Sequence, residues 1–154
     1  MDIYRKLEEL NITLPIAPTP AGLYTQVLPF GDKLCYMSGC GSTSETCQLM
    51  GKLGAELTLE QGQAAARSTA INMLAVLHRD LGDLNRIKRW VKVLGFVSSD
   101  PTFYEQPAVM NGASQLILDV FGEGVGRPAR SAIGAPCLPG NIPVEIEALI
   151  ELEA

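Results

Sequence analysis

Residues 87–97, Ile87-Lys88-Arg89-Trp90-Val91-Lys92-Val93-Leu94-Gly95-Phe96-Val97, constrain the fold more than any other stretch. The run is rich in β-branched and aromatic residues and ends at Ser98-Ser99-Asp100-Pro101, so it reads as a strand. In a regular pleat Trp90, Leu94 and Phe96 point one way and Val91, Val93 and Val97 the other. A strand apolar on both sides belongs inside a sheet that is covered on both faces. The rest of the chain must therefore supply flanking strands and two covering layers.

Flanking strands are predicted at 23–30 and 33–38, with Gly31-Asp32 at the tight turn between them, and at 129–138 and 144–152. Two helices are predicted. The first runs from Leu59 to about Leu81; Thr58 and Gln61 have the spacing of a capping box, and the buried side is rich in alanine. The second spans about 103–121, with Val109, Ala113, Leu116, Ile117 and Val120 on one side. The order is ββαβαββ, an α+β sheet with both helices packed on one face. Residues 1–154 are expected to form a single domain, with 1–20 as an N-terminal extension made of a short helix over 2–10 and a Pro15, Pro18, Pro20 approach. Two helices leave the second face, expected to hold Val91, Val93 and Val97, in need of cover, and self-association is the economical source. In the last strand Val144, Ile146, Ala148, Ile150 and Leu152 share one side, and Glu145, Glu147, Glu151 and Glu153 share the other.

Several function classes are disfavoured. Twelve basic against seventeen acidic residues give a net charge of −5, a poor balance for gripping phosphate backbones, so no nucleic-acid partner is expected. No apolar run reaches bilayer length and residues 1–9 lack a signal-like apolar segment, so a soluble, cytoplasmic chain without a membrane partner is expected. Cys35, Cys40, Cys47 and Cys137 include no C-x2-C pair, and His78 is the one histidine, which argues against both a structural metal and a disulfide framework. The string His78-Arg79-Asp80-Leu81-Gly82-Asp83-Leu84-Asn85 matches a kinase catalytic loop, but it begins inside a helix end and lacks the companion motifs. Gly122-Glu123-Gly124-Val125-Gly126 follows a helix rather than a strand, so it reads as a helix stop and not a phosphate cradle.

Asn111-Gly112-Ala113-Ser114, Gly126-Arg127-Pro128-Ala129-Arg130-Ser131-Ala132-Ile133-Gly134, Leu138-Pro139 and Val144-Glu145-Ile146-Glu147-Ala148 occur in that order, with Tyr24 and Ser38-Gly39 upstream. In this constellation the chain resembles the Rid family, the YjgF-like reactive-intermediate deaminases also labelled L-PSP endoribonucleases. The resemblance spans roughly residues 10–153 and points to a longer, divergent branch. It implies a chorismate-mutase-like fold, a homotrimer with clefts between subunits, and hydrolysis of 2-imino acids to 2-keto acids and ammonia without a metal or cofactor. By the same resemblance Arg130 clamps the substrate carboxylate, Glu145 handles a water, and Tyr24, Ser38, Gly39, Asn111 and Ala132 line the pocket. The chemistry suits these residue types, since a guanidinium fork matches two carboxylate oxygens and a carboxylate can relay a proton from water to a departing amine.

Three positions depart from the active branch: Ala132 stands where cysteine is common, Cys40 where glutamine is, and Ser114 where tyrosine is. Plainer roles stay open for each residue. Arg130 could pair with Glu145 or Glu147 on a neighbouring strand, Glu145 could be solvated, and Tyr24 and Asn111 could serve packing and capping. A binding module for a small keto acid is the alternative function, with a ribonuclease or translation inhibitor behind it.

Overall fold

The computed structural model describes residues 2–153. The extension opens with α1, Ile3–Glu9, capped by the Asp2 side chain, which accepts from the Tyr4 N–H. Ile3 and Leu7 are buried, and the Tyr4 hydroxyl accepts the Leu84 N–H at 3.0 Å and meets His78 Nδ1 at 2.9 Å. The proline segment that follows is tied down by Arg79, which donates to the Pro18 carbonyl at 3.2 Å and to Gln26 Oε1 at 2.7 Å.

The hairpin strands are β1, Val27–Phe30, and β2, Leu34–Gly41, with Gly31 at φ +58° in the turn. The chain then forms α2, Leu59–Leu81; β3, Ile87–Ser98; α3, Gln106–Phe121; a single turn α4, Glu123–Gly126; β4, Ala129–Ala135; and β5, Val144–Leu152. The Thr58–Gln61 capping box is formed in both directions. Gly122, at φ +74°, ends α3, and the glycine-rich stretch after it coils into α4 rather than simply stopping the helix. The sheet order is β1-β2-β5-β3-β4, antiparallel except for the β3–β4 pair.

Helices α2 and α3 cover one face and run against each other. Gly112 makes this possible: a Cβ there would fall on the backbone carbonyl of Gln63 in α2. Gly95 of β3 likewise leaves room for the Met110 side chain of α3. Trp90 lies beneath the helices, edge-on to Phe121 with ring centroids 5.7 Å apart.

Two expectations need correction. The regular pleat assigned to residues 87–97 is broken by a register shift between Trp90 and Lys92. The extra residue reverses the parity downstream. Trp90 still faces the helices, but so do Val93, Gly95 and Val97, opposite Ala148, Ile146 and Val144 of β5. The uncovered face therefore carries Leu94 and Phe96, opposite Glu147 and Glu145, and not Val93 and Val97. The second correction concerns β4 and β5, which are not neighbours. Strand β3 lies between them, so Arg130 on β4 has no carboxylate partner on an adjacent strand.

Candidate active site

The candidate residues fall into two groups. Arg130 sits in β4 in register with Val93 and so shares the helix-covered side of the sheet, at its edge. Its guanidinium reaches the first turns of α3. Nη1 donates to Asn111 Oδ1 at 2.9 Å and to Ser114 Oγ at 3.0 Å, and Nη2 donates to the Pro107 carbonyl at 3.3 Å. Those contacts use three of the five guanidinium N–H groups. The remaining pair, on Nε and Nη2, is what a two-oxygen anion needs. Ala132, two residues on, is half-buried on the same side in register with Gly95. Asn111, Ser114, Arg127 and Arg130 border a depression of about 400 Å³.

The second group lies on the other side of the sheet. Glu145 of β5 is in register with Phe96, beside Gly39 of β2. A Cβ at Gly39 would collide with the Glu145 carboxylate, so only glycine leaves that carboxylate its place. Ser38 Oγ donates to the Thr25 carbonyl at 2.6 Å, which pins the loop that carries Tyr24. Tyr24, Ser38, Gly39 and Glu145 border one depression of about 570 Å³ together with Tyr36 and Glu147. Burial, and secondarily the Glu147 charge, push the Glu145 carboxyl above its ordinary range. Tyr36 Oη donates to Glu147 Oε1 at 3.0 Å, and that carboxylate raises the phenol in turn.

Tyr36 and Glu147 were not among the residues picked out as site members, nor was Ser114 as a ligand of Arg130. The signal for the first two was period-two spacing: Tyr36 lies two residues before Ser38, and Glu147 two after Glu145. Cys40, two residues past the end predicted for the second strand, belongs to β2, where it is 3% exposed and faces the core. Burial, with Glu145 nearby, pushes its thiol up to about 12, so it stays protonated and is no nucleophile. Among the described residues no three His, Cys, Asp or Glu side chains are placed to hold a metal ion, and no helix is long and apolar enough to cross a membrane.

A mixed five-stranded sheet with two helices on one face, entered through an N-terminal hairpin, is the chorismate-mutase-like α+β fold. Residues 13–152 match the family model described as "YjgF/chorismate_mutase-like, putative endoribonuclease", and the chain belongs to this family. It is 48% identical over 147 residues to protein TCP17 of Trypanosoma cruzi, covering 95% of this chain and 91% of that one. A crystal structure of an Agrobacterium tumefaciens protein of unknown function superposes with a TM-score of 0.88 at 40% identity, covering 98% of this chain and 92% of that chain. A Dermatophagoides farinae protein named 2-iminobutanoate/2-iminopropanoate deaminase is 29% identical over 144 residues, 92% of this chain and 95% of its own length.

Proposed function

We propose that this protein hydrolyses small 2-imino acids to 2-keto acids and ammonia, at clefts assembled from two copies of the chain within a homotrimer. The observation that carries the reading is the separation of the two groups. Arg130 presents two free N–H donors on the helix-covered side, while Glu145, its carboxyl raised, lies on the open side. Within a single chain the two stand on opposite sides of the sheet and line different depressions. The open face, with Leu94, Phe96 and Leu149 beside Glu145 and Glu147, offers the surface against which another copy would bring its Arg130 edge.

In such a cleft Arg130 holds the substrate carboxylate, and Asn111 and Ser114 hold Arg130. Glu145 takes a proton from water as the water oxygen bonds to C2, and the C=N π pair moves to nitrogen. Glu145 gives that proton to the nitrogen, which completes the neutral carbinolamine. Glu145 then takes the carbinolamine hydroxyl proton and passes it to the amine as the C–N bond breaks, so that ammonia leaves and the keto group forms. A raised carboxyl suits this exchange because its proton affinity lies nearer neutrality. Tyr24 and Ser38 border the same depression and would shape it around the side chain.

A keto-acid binding role without turnover is the second reading. It is favoured by the Ser114–Arg130 bond, which shows that the guanidinium is fully positioned by α3 whatever chemistry follows. Phosphate-bearing substrates fit less well, since Glu145 and Glu147 both line the open-face depression and would repel them.

The test generates 2-iminopropanoate or 2-iminobutanoate with an amino-acid oxidase and follows semicarbazide trapping and ammonia release. Wild type is expected to suppress trapping, with Arg130→Ala and Glu145→Gln slower by roughly a hundredfold or more. If wild type leaves trapping unchanged but binds 2-keto acids in an Arg130-dependent way, the binding role replaces the enzyme. A monomer in sedimentation at assay concentration would sink the shared-cleft arrangement.

A further inference from the structure

A cavity of about 990 Å³ shares no lining residue with the depressions beside Arg130 and Glu145. It is bordered by the proline segment of the extension (residues 13–16), the loop 44–49 and the first half of α2. That volume falls at the upper end of ordinary small-molecule pockets. Leu14, Ile16, Leu49 and Ile71 supply an apolar wall. Ile16 is 93% exposed, although Pro15 and Pro18 stiffen the backbone on either side and Arg79 holds the Pro18 carbonyl. A large apolar side chain fixed at a cavity rim in full contact with water gains most when something covers it.

The polar end of the cavity has a defined hydrogen-bond direction. Ser68 Oγ donates to the Ser42 carbonyl at 2.8 Å, a bond in which only the hydroxyl can be the donor. Ser68 must then accept from Ser44 Oγ at 3.2 Å, and Ser44, its proton spent, must accept from Thr46 Oγ1 at 3.2 Å. Ser44 and Cys47 exchange both of their N–H···O bonds, and the Gln48 side-chain amide donates to the Ser44 carbonyl. Thr46 Oγ1, its proton given to Ser44, keeps acceptor capacity, and the Glu45 carboxylate beside it adds more. Arg67 lines the same cavity from α2 with the opposite need. Among the described residues neither Arg67 nor Glu45 has an ion pair or a side-chain hydrogen bond.

We propose that this cavity is a binding site for an α-amino acid with an apolar side chain, its ammonium group at Glu45 and Thr46, its carboxylate on Arg67, and its hydrocarbon chain against Leu14, Ile16 and Ile71. A hydrocarbon alone would leave Arg67 and the acceptors unmatched, and a simple carboxylate would meet Glu45 without a counter-charge. The site is separate from the Arg130–Glu145 arrangement and stands whether or not that arrangement turns over imines.

Calorimetry and NMR titration of the full chain with L-leucine test it, alongside 4-methylpentanoate, which lacks the ammonium group, and 3-methylbutylamine, which lacks the carboxylate. L-Leucine is expected to saturate, and each single-charge analogue to bind at least roughly tenfold more weakly. Arg67→Gln and Glu45→Gln, both at exposed positions, should each weaken leucine by a similar factor, whereas Arg130→Ala should leave it unchanged. No saturation by leucine, equal affinity for 4-methylpentanoate, or binding lost with Arg130→Ala yet kept with Arg67→Gln would each overturn the proposal.

Discussion

The two faces of the sheet are built from the same strands and differ in almost every physical respect. On the helix side Val93, Val97, Val144, Ile146, Ala148 and Ile150 are buried beneath α2 and α3. On the open side the residues between them, Leu94, Phe96, Glu145, Glu147 and Leu149, are half-buried, and carboxylates alternate with apolar side chains. The first face is a close-packed interior in which glycines set the distance between layers. The second has burial enough to raise a carboxyl group but not enough to exclude water. Stability is concentrated on one side, and the groups with unmet chemistry lie on the other or at the sheet's edge.

The sharpest way to break this contrast is at the helix crossing. Gly112→Ala puts a methyl group onto the Gln63 carbonyl, where backbone rather than a flexible side chain must move. A loss of about 3 kcal/mol or more in denaturant unfolding is expected. Gly124→Ala, with nothing within 4 Å of the added carbon, should change stability by well under 1 kcal/mol, as suits an exposed position. Equal losses in the two variants would mean that α2 and α3 do not approach as closely as described.

A second pair compares the faces directly. Ile146→Ala empties a fully buried position on the helix side and should cost about 2–5 kcal/mol. Leu94→Ala, on the strand alongside but facing outward, should cost about 1 kcal/mol or less in the isolated chain. Its larger effect is expected on assembly: Leu94→Asp should shift sedimentation toward monomer while far-ultraviolet circular dichroism stays unchanged. An unaltered oligomer would show that the open face is not where copies meet.

The helices, the hairpin and the alternating last strand were legible because each carries its own period. Thr58 and Gln61 announce the start of α2, and Glu145 through Leu152 sort themselves by parity. What escaped depends on partners distant in sequence. The bulge after Trp90 leaves no mark within β3, because valine, leucine and phenylalanine suit either face, and only the pairing with β5 reveals the shift. The insertion of β5 between β2 and β3 is invisible for the same reason, and it removes the alternative in which Arg130 pairs with a carboxylate on the next strand. The identities of the candidate residues came from resemblance. Their division between opposite sides follows from the strand order and the bulge together, and neither can be read from any single segment.

The smallest expected effect concerns Glu145 itself. Its carboxyl is raised above the ordinary value of 4.5 by burial and by Glu147, so the folded chain holds this proton more tightly than the unfolded chain does. Stability from this group is complete below the unfolded value and is lost as pH rises through the folded value, because over that window the folded state carries the extra proton. Glu145→Gln cannot ionise and escapes the loss. Its thermal midpoint should therefore lie slightly above that of wild type at neutral pH, and the gap should close as the pH is lowered below the ordinary glutamate range. Glu151 should behave in the opposite sense, since Lys88 at 2.9 Å and Arg89 at 2.8 Å hold its carboxyl low, and Glu151→Gln should lose a little stability at neutral pH that it regains in acid. Two carboxylates on one strand face, six residues apart, would then titrate in opposed directions, Glu145 against the fold and Glu151 with it. Parallel pH profiles for the two variants would remove the assignment of Glu145 as a carboxylate strained by its surroundings, and with it the physical ground for its part in proton transfer.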